Sequence, residues 1–358
     1  MFLVFSICVL YALYGLLIFV EDYLPENHKK LIYWGTCVLL ILLAGTREIG
    51  FDPDSAEYEK TYLDPYNTDV MDSVEFTYIM IAQAFNSFTR DAHPLFLVYA
   101  FLGVLLKFCA FRRYSDSWLI VVFMYISFYY ELHETCQIRA GVLSGCMLLA
   151  VPCIADGQRW KAFLWIAIGT CFHMSGLILL PLLFLRNKPL GWLWKTVLAL
   201  SIPLSFAFAG FEVGLDFASE IPYIGDKIAL YSEIENKGKQ VVSSLNLFGP
   251  LHLLMVLLFY YLLFFADTLT ERFRYFPLML KILALALVSY AVFSFIPVMG
   301  ERMCSMYRTI MIVLLPTIVY TLRPKWCGLL LLLMVSFIFI NFSLRDMYNV
   351  SFILPAVR

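Results

Sequence analysis

Charge is what this 358-residue chain has least of: Asp, Glu, Lys and Arg make up 15% of it, where soluble domains carry about a quarter. With 61% hydrophobic residues, 17% aromatics and a mean hydropathy of +0.79, that shortage excludes a soluble enzyme and a disordered chain. The formal net charge is −1 and no basic run reaches five residues, so no nucleic-acid partner is expected. The nine cysteines stand mostly alone in apolar runs, with neither CxxC nor metal-ligand spacing. They read as small core or lipid-facing residues, which leaves redox, zinc and secreted disulfide chemistry without a signal. A GxxxxGK[ST] loop is absent, which removes a P-loop nucleotide site. Internal repeats and low-complexity tracts are missing too. The first twenty residues lack a basic leader and a small-residue cleavage site, so they read as a retained span.

What the chain does have is long apolar runs. About 20 such residues cross the hydrocarbon core as a helix. Ten runs qualify: Phe2–Val20, Leu31–Thr46, Pro94–Phe111, Trp118–Tyr130, Ile138–Ala155, Trp192–Phe211, Phe248–Ala266, Pro277–Val298, Ser305–Leu322 and Trp326–Phe342. The expected fold is an all-α polytopic membrane protein forming a single membrane domain over residues 1–358. An eleventh apolar run, Trp160–Leu185, is interrupted at Cys171-Phe172-His173-Met174-Ser175-Gly176 and has Arg159 and Lys161 before it, Arg186 and Lys188 after it. One tilted helix could accommodate this length. The positive-inside rule instead favours a re-entrant or broken pair of short helices turning at His173. That arrangement puts 15 of the 26 Lys and Arg on the inner side, Lys107 and Lys281 among them. Both termini then lie outside, with outer loops at 47–93 and 212–247.

Ionisable groups at membrane depth are costly and gather where a cavity or site exists. Four clusters fall on the outer side of this topology. The first is the loop from Arg47 to Tyr58, containing Gly50, Asp52 and Asp54, and it runs on through acidic residues to Glu75. The second is Glu131-Leu132-His133-Glu134 with Arg139, the third His173 with Ser175, and the fourth Glu301-Arg302 continuing to Arg308. Each has a plain structural reading. Arginines at span ends snorkel to the interface, and a histidine in an apolar run packs and donates a hydrogen bond. Asp52-Pro53-Asp54 has the form of a metal-holding carboxylate pair but is also an ordinary acidic turn, so no metal is expected. The coincidence of Arg47, Arg139, Arg302 and Arg308 on one side, beside carboxylates and a histidine, goes further. Guanidinium groups suit a phosphate or diphosphate, and the neighbouring acids supply a general base. Without a nucleotide-binding loop, the substrate would be a phosphate-activated lipid.

The pattern Arg47-x-x-Gly50-x-Asp52 with Tyr58, then Glu75, Ile138-Arg139, Phe172-His173-x-Ser175 before Pro181, and Glu301-Arg302 resembles the EpsG family of exopolysaccharide polymerases, which groups with Wzy-type O-antigen polymerases. It covers residues 47 to 302. One departure is Ala140, where the resemblance leads us to expect glutamine. The resemblance implies a GT-C-like glycosyltransferase fold, no cofactor, and two undecaprenyl-diphosphate-linked oligosaccharides as donor and acceptor. It places the protein in a bacterial inner membrane with the active site facing the periplasm or exterior, alongside a flippase and a chain-length co-polymerase. In this reading Arg47, Arg139 and Arg302, supported by Arg308, hold the donor diphosphate. Asp52 or Glu75, ahead of His173, activates the acceptor, and Gly50, Tyr58, Ser175 and Glu301 support the site. Two other classes stay open: a transporter or flippase of lipid-linked or anionic substrates, since a broken helix with a polar tip also marks transporter sites, and a membrane O-acyltransferase using His173 as base.

Overall fold

The computed structural model describes residues 2–68, 74–210, 245–294 and 297–348, and among them the regular elements are all helical. The helices are α1 (Phe2–Val20), α2 (Glu26–Gly45), α3 (Ser55–Leu63), α4 (Phe76–Asn86), α5 (His93–Phe111), α6 (Trp118–Phe128), α7 (Ile138–Ala155), α8 (Arg159–Phe172), α9 (Trp192–Gly210), α10 (Pro250–Phe264), α11 (Ala266–Arg272), α12 (Phe276–Val292), α13 (Pro297–Arg308), α14 (Met311–Leu314) and α15 (Lys325–Tyr348). Seven helical stretches are long and apolar enough to cross a membrane, and α10 with α11, bent by 73°, makes an eighth. The other two expected crossings contain α6 and α12, which are shorter apolar helices of 11 and 17 residues. The chain is an all-α polytopic membrane protein. The expected outer loop 212–247 lies outside the described residues except for its last three.

The chain forms two compact units. The first is Met1–Asn187 with Phe273–Tyr275 and Met311–Arg358; the second is Lys188–Arg272 with Phe276–Ile310. In the first unit, α6 does not stop at Phe128: beyond Tyr129 and Tyr130 the backbone widens into a six-residue π-helical turn, Glu131–Cys136, that leads into α7. Such wide turns are rare and concentrate at functional positions. The other end of α6 is capped from a distance, because the buried Glu21 carboxylate accepts hydrogen bonds from the Leu119 and Ile120 amides at 3.0 and 3.2 Å. A carboxylate there complements the positive end of the helix dipole.

α5 and α7 lie side by side and run in the same direction. Phe96 and Tyr99 share a cluster with Ile138 and Val142. Further along, Leu106 faces Gly145, and the Tyr114 hydroxyl donates to Leu148 O at 2.7 Å. The same cluster seats the two short helices between α2 and α5 through Tyr58, Tyr62, Tyr78, Ile79 and Ala82, so the loop rich in acids is anchored by aromatic burial.

The interrupted run forms a hairpin. α8 ends at Phe172, His173 is extended, and Met174–Phe184 continues as a 3-10 helix. A 14-residue α-helix rises about 21 Å, and an 11-residue 3-10 helix about 22 Å. The arms therefore match in length, and their ends meet where Arg159 donates to Leu185 O at 3.3 Å. Neither arm reaches the roughly 30 Å of a bilayer core. The hairpin carries His173 at its tip, as the flanking charges predict. The structure corrects one part of that charge reasoning: Lys107 and Lys281 are not loop cations. Both are buried within helices, Lys107 on α5 and Lys281 on α12.

Candidate functional site

Two arginine–carboxylate pairs organise the first unit, and they differ in construction. The first is local. Arg47 follows the C-terminus of α2, where its Nη1 donates to Ala44 O at 2.7 Å and its Nε to Asp52 Oδ2 at 3.0 Å. Its guanidinium lies over the Phe96 ring, 4.2 Å from the centroid. The other Asp52 oxygen accepts the amides of Asp54 and Ser55 at 3.2 and 2.9 Å, ahead of α3. Gly50, at a φ of 82°, turns the loop so that its amide meets Ser55 Oγ. Both side chains of the pair are 1% exposed. Asp54 points elsewhere and accepts from the Cys136 thiol at 3.3 Å. Burial pushes the Asp54 carboxyl above its ordinary range.

The second pair is assembled from three separated segments. Glu75 stands just before α4, yet its carboxylate does not cap that helix. It pairs with Arg139 from the first turn of α7. It also accepts His173 Nδ1 at 2.8 Å and the Met174 amide at 3.1 Å, both from the hairpin tip. Burial would raise the Glu75 carboxyl, but the hydrogen bond from His173, the Arg139 charge and the Met174 amide outweigh it and hold the group at about 2. A carboxylate only accepts, so Nδ1 carries the proton. In the neutral imidazole Nε2 then offers its lone pair, and the Ser175 hydroxyl lies 3.2 Å from it. The Tyr58 ring is 5.6 Å from the Arg139 guanidinium, and the Thr77 hydroxyl ties α4 to the hairpin by donating to Cys171 O at 2.7 Å. Among the described residues, Arg139 Nε is buried without a hydrogen-bond partner.

A sequence model of the EpsG family matches residues 30–355. The chain belongs to the EpsG family. No curated protein and no solved structure matches it. EpsG is a Wzy-like polymerase family, and membership makes this chain a membrane polysaccharide polymerase in general terms.

In this EpsG chain the expected site residues fall into three groups. Arg47, Gly50 and Asp52 build the sealed loop; Glu75, Arg139, His173 and Ser175, with Tyr58 beside them, form the three-segment cluster. Glu301 and Arg308, two turns apart on one face of α13, pair at 3.1 Å, and Arg302 next to them is exposed; these three belong to the second unit. Sequence reasoning missed Lys107 as the partner of Glu134, Cys136 as the partner of Asp54, and His252, whose ring stacks on Tyr290 at 4.3 Å. A lysine inside an apolar run was the available signal for the first. A histidine inside the run Phe248–Ala266 was a similar signal for His252, and Cys136 had none.

Proposed function

We propose that this protein joins lipid-diphosphate-linked oligosaccharides at the outer face of the membrane, with His173 as the base that activates the acceptor. The observation that carries this reading is the Glu75 carboxylate, which meets Arg139, His173 and the hairpin backbone at once. Glu75 is too weakly basic at about 2 to remove a proton from an alcohol. It suits the other role, fixing the imidazole tautomer and stabilising the imidazolium that forms. This exchanges the roles expected from sequence, where a carboxylate came ahead of His173.

In the proposed step an acceptor sugar hydroxyl takes the place of the Ser175 hydroxyl at Nε2. Its oxygen attacks the anomeric carbon of the donor glycan while its proton passes to Nε2. The bond from that carbon to the diphosphate breaks, and the diphosphate leaves with the electron pair. Arg139 stabilises the growing charge by bidentate contacts. Arg302 and Arg308 are assigned to diphosphate on resemblance, and Arg47 to building the loop. The lipid carrier, undecaprenyl diphosphate, is carried over from the resemblance as well.

The test uses purified protein in liposomes with lipid-diphosphate-linked repeat units. Wild type and Ser175→Ala are expected to yield a polymer ladder, and His173→Ala none. A wild type that makes no ladder but transfers an acyl group, with that transfer lost in Ser175→Ala, would favour the second reading, a Glu75–His173–Ser175 relay with serine as nucleophile, in which the protein is an O-acyltransferase. A deletion strain separates the classes further: a polymerase leaves one-unit glycans on the surface, a flippase leaves none, and an acyltransferase leaves long chains lacking an ester.

A further inference from the structure

An ion pair is sealed inside the first unit away from any role assigned so far. Lys107 on α5 donates to Glu134 Oε1 and to Gly141 O, both at 2.6 Å. The Tyr125 hydroxyl, from α6, donates to the same Glu134 oxygen at 2.8 Å. The two charged side chains are 0% and 1% exposed. Space is reserved for them: a Cβ at Gly103 would strike the Glu134 carboxylate, and one at Gly141 would strike the His133 carbonyl in the same turn.

Such a pair is a poor device for stability. Removing two charges from water costs several kcal/mol, and apolar residues of similar volume commonly hold helices together as well or better. What it supplies is direction. Glu134 sits in the π-helical turn, and Gly141 O belongs to the first turn of α7. One ammonium group therefore grips the chain on both sides of Arg139, five residues before it and two after. The same turn carries Cys136, whose thiol reaches Asp54.

We propose that Lys107 and Glu134 are a positioning pair that fixes the π-helical turn and thereby the height and rotation at which Arg139 meets Glu75. The consequence for turnover rests on the polymerase reading given above, so the test includes a readout independent of activity. In protein whose other eight cysteines are replaced, maleimide labelling of Cys136 reports opening of the turn. Single variants leave a lone buried charge, so the informative variant is the double Lys107→Met/Glu134→Leu. It should melt within a few degrees of the parent yet label at Cys136 at least about tenfold faster, with kcat down about tenfold and KM little changed. Tyr125→Phe, which strands no charge, should raise the labelling rate about threefold. Parental labelling and kcat in the double variant would overturn the proposal. So would an unchanged labelling rate in Tyr125→Phe if the double variant does not fold. Failure of the parent itself to polymerise, with the labelling differences intact, would instead sink the polymerase reading and leave the positioning role standing.

Discussion

The Arg47–Asp52 and Arg139–Glu75 pairs use the same chemistry, each at the end of an apolar run, yet they are built for different work. Arg47 and Asp52 are five residues apart and sealed at 1% exposure; their side-chain hydrogen bonds close a helix end and a loop, and the guanidinium rests on the Phe96 ring. Arg139 and Glu75 are 64 residues apart, remain 21% and 10% exposed, and meet a histidine from a third segment. Local, sealed pairs shape the backbone. A pair assembled from distant segments, shared and still reachable, is where chemistry can be done.

Replacing each arginine by lysine breaks or upholds this comparison. Lysine keeps the charge and loses the planar fork. Under the proposed function Arg139→Lys should lower polymer synthesis by at least about tenfold with yield and melting unchanged, because there the loss falls on transition-state contacts. Arg47→Lys should do the reverse, weakening the fold because a buried site loses the forked contacts to Asp52 and Ala44 O and the stacking on Phe96. The checks are polymer length and rate beside thermal melting of the same preparations. A stable but inactive Arg47→Lys would return Arg47 to the diphosphate.

A smaller effect is expected from pH. Glu75 is held at about 2, below its ordinary 4.5, so the folded state prefers its ionised form. The stabilisation it contributes is complete above pH 4.5 and fades as pH falls from there through about 2. Melting of wild type and Glu75→Gln should therefore differ by a few degrees at pH 7 and converge on acidification. A difference that stays constant down to pH 3 would mean the three-donor arrangement does not persist in solution.

The sequence discloses the spans because apolar runs need no partner to be recognised, and the hairpin because cations stand at both of its ends. It discloses the individual members of the candidate site through the motif pattern, but not their pairing. Nothing in the spacing of Glu75 and His173, 98 residues apart, says that they touch. The π-helical turn escapes because Glu131-Leu132-His133-Glu134 reads as a polar loop, and its neutralising partner Lys107 lies 27 residues upstream in another helix. The engagement of Asp52 escapes for a related reason. A carboxylate in a Gly- and Pro-containing loop reads as free to act, whereas both of its oxygens are engaged by neighbours within five residues.

That last point bears on the DxD-like Asp52-Pro53-Asp54, where the smallest effect is expected. A divalent cation held by a carboxylate pair needs oxygens from both groups free to converge. Asp52 gives one oxygen to Arg47 and the other to the amides of Asp54 and Ser55, and Asp54 is turned toward the Cys136 thiol. Binding a metal there would mean breaking the buried Arg47 pair and releasing the cap of α3, and the ion would sit beside a guanidinium. In the proposed step the charge of the departing diphosphate is met by Arg139. Polymerisation by purified protein should therefore proceed at the same rate with EDTA as with added Mg²⁺ or Mn²⁺. Inhibition by EDTA that either ion reverses would make the first region a metal site after all, and the division between a shaping pair and a working pair would fall.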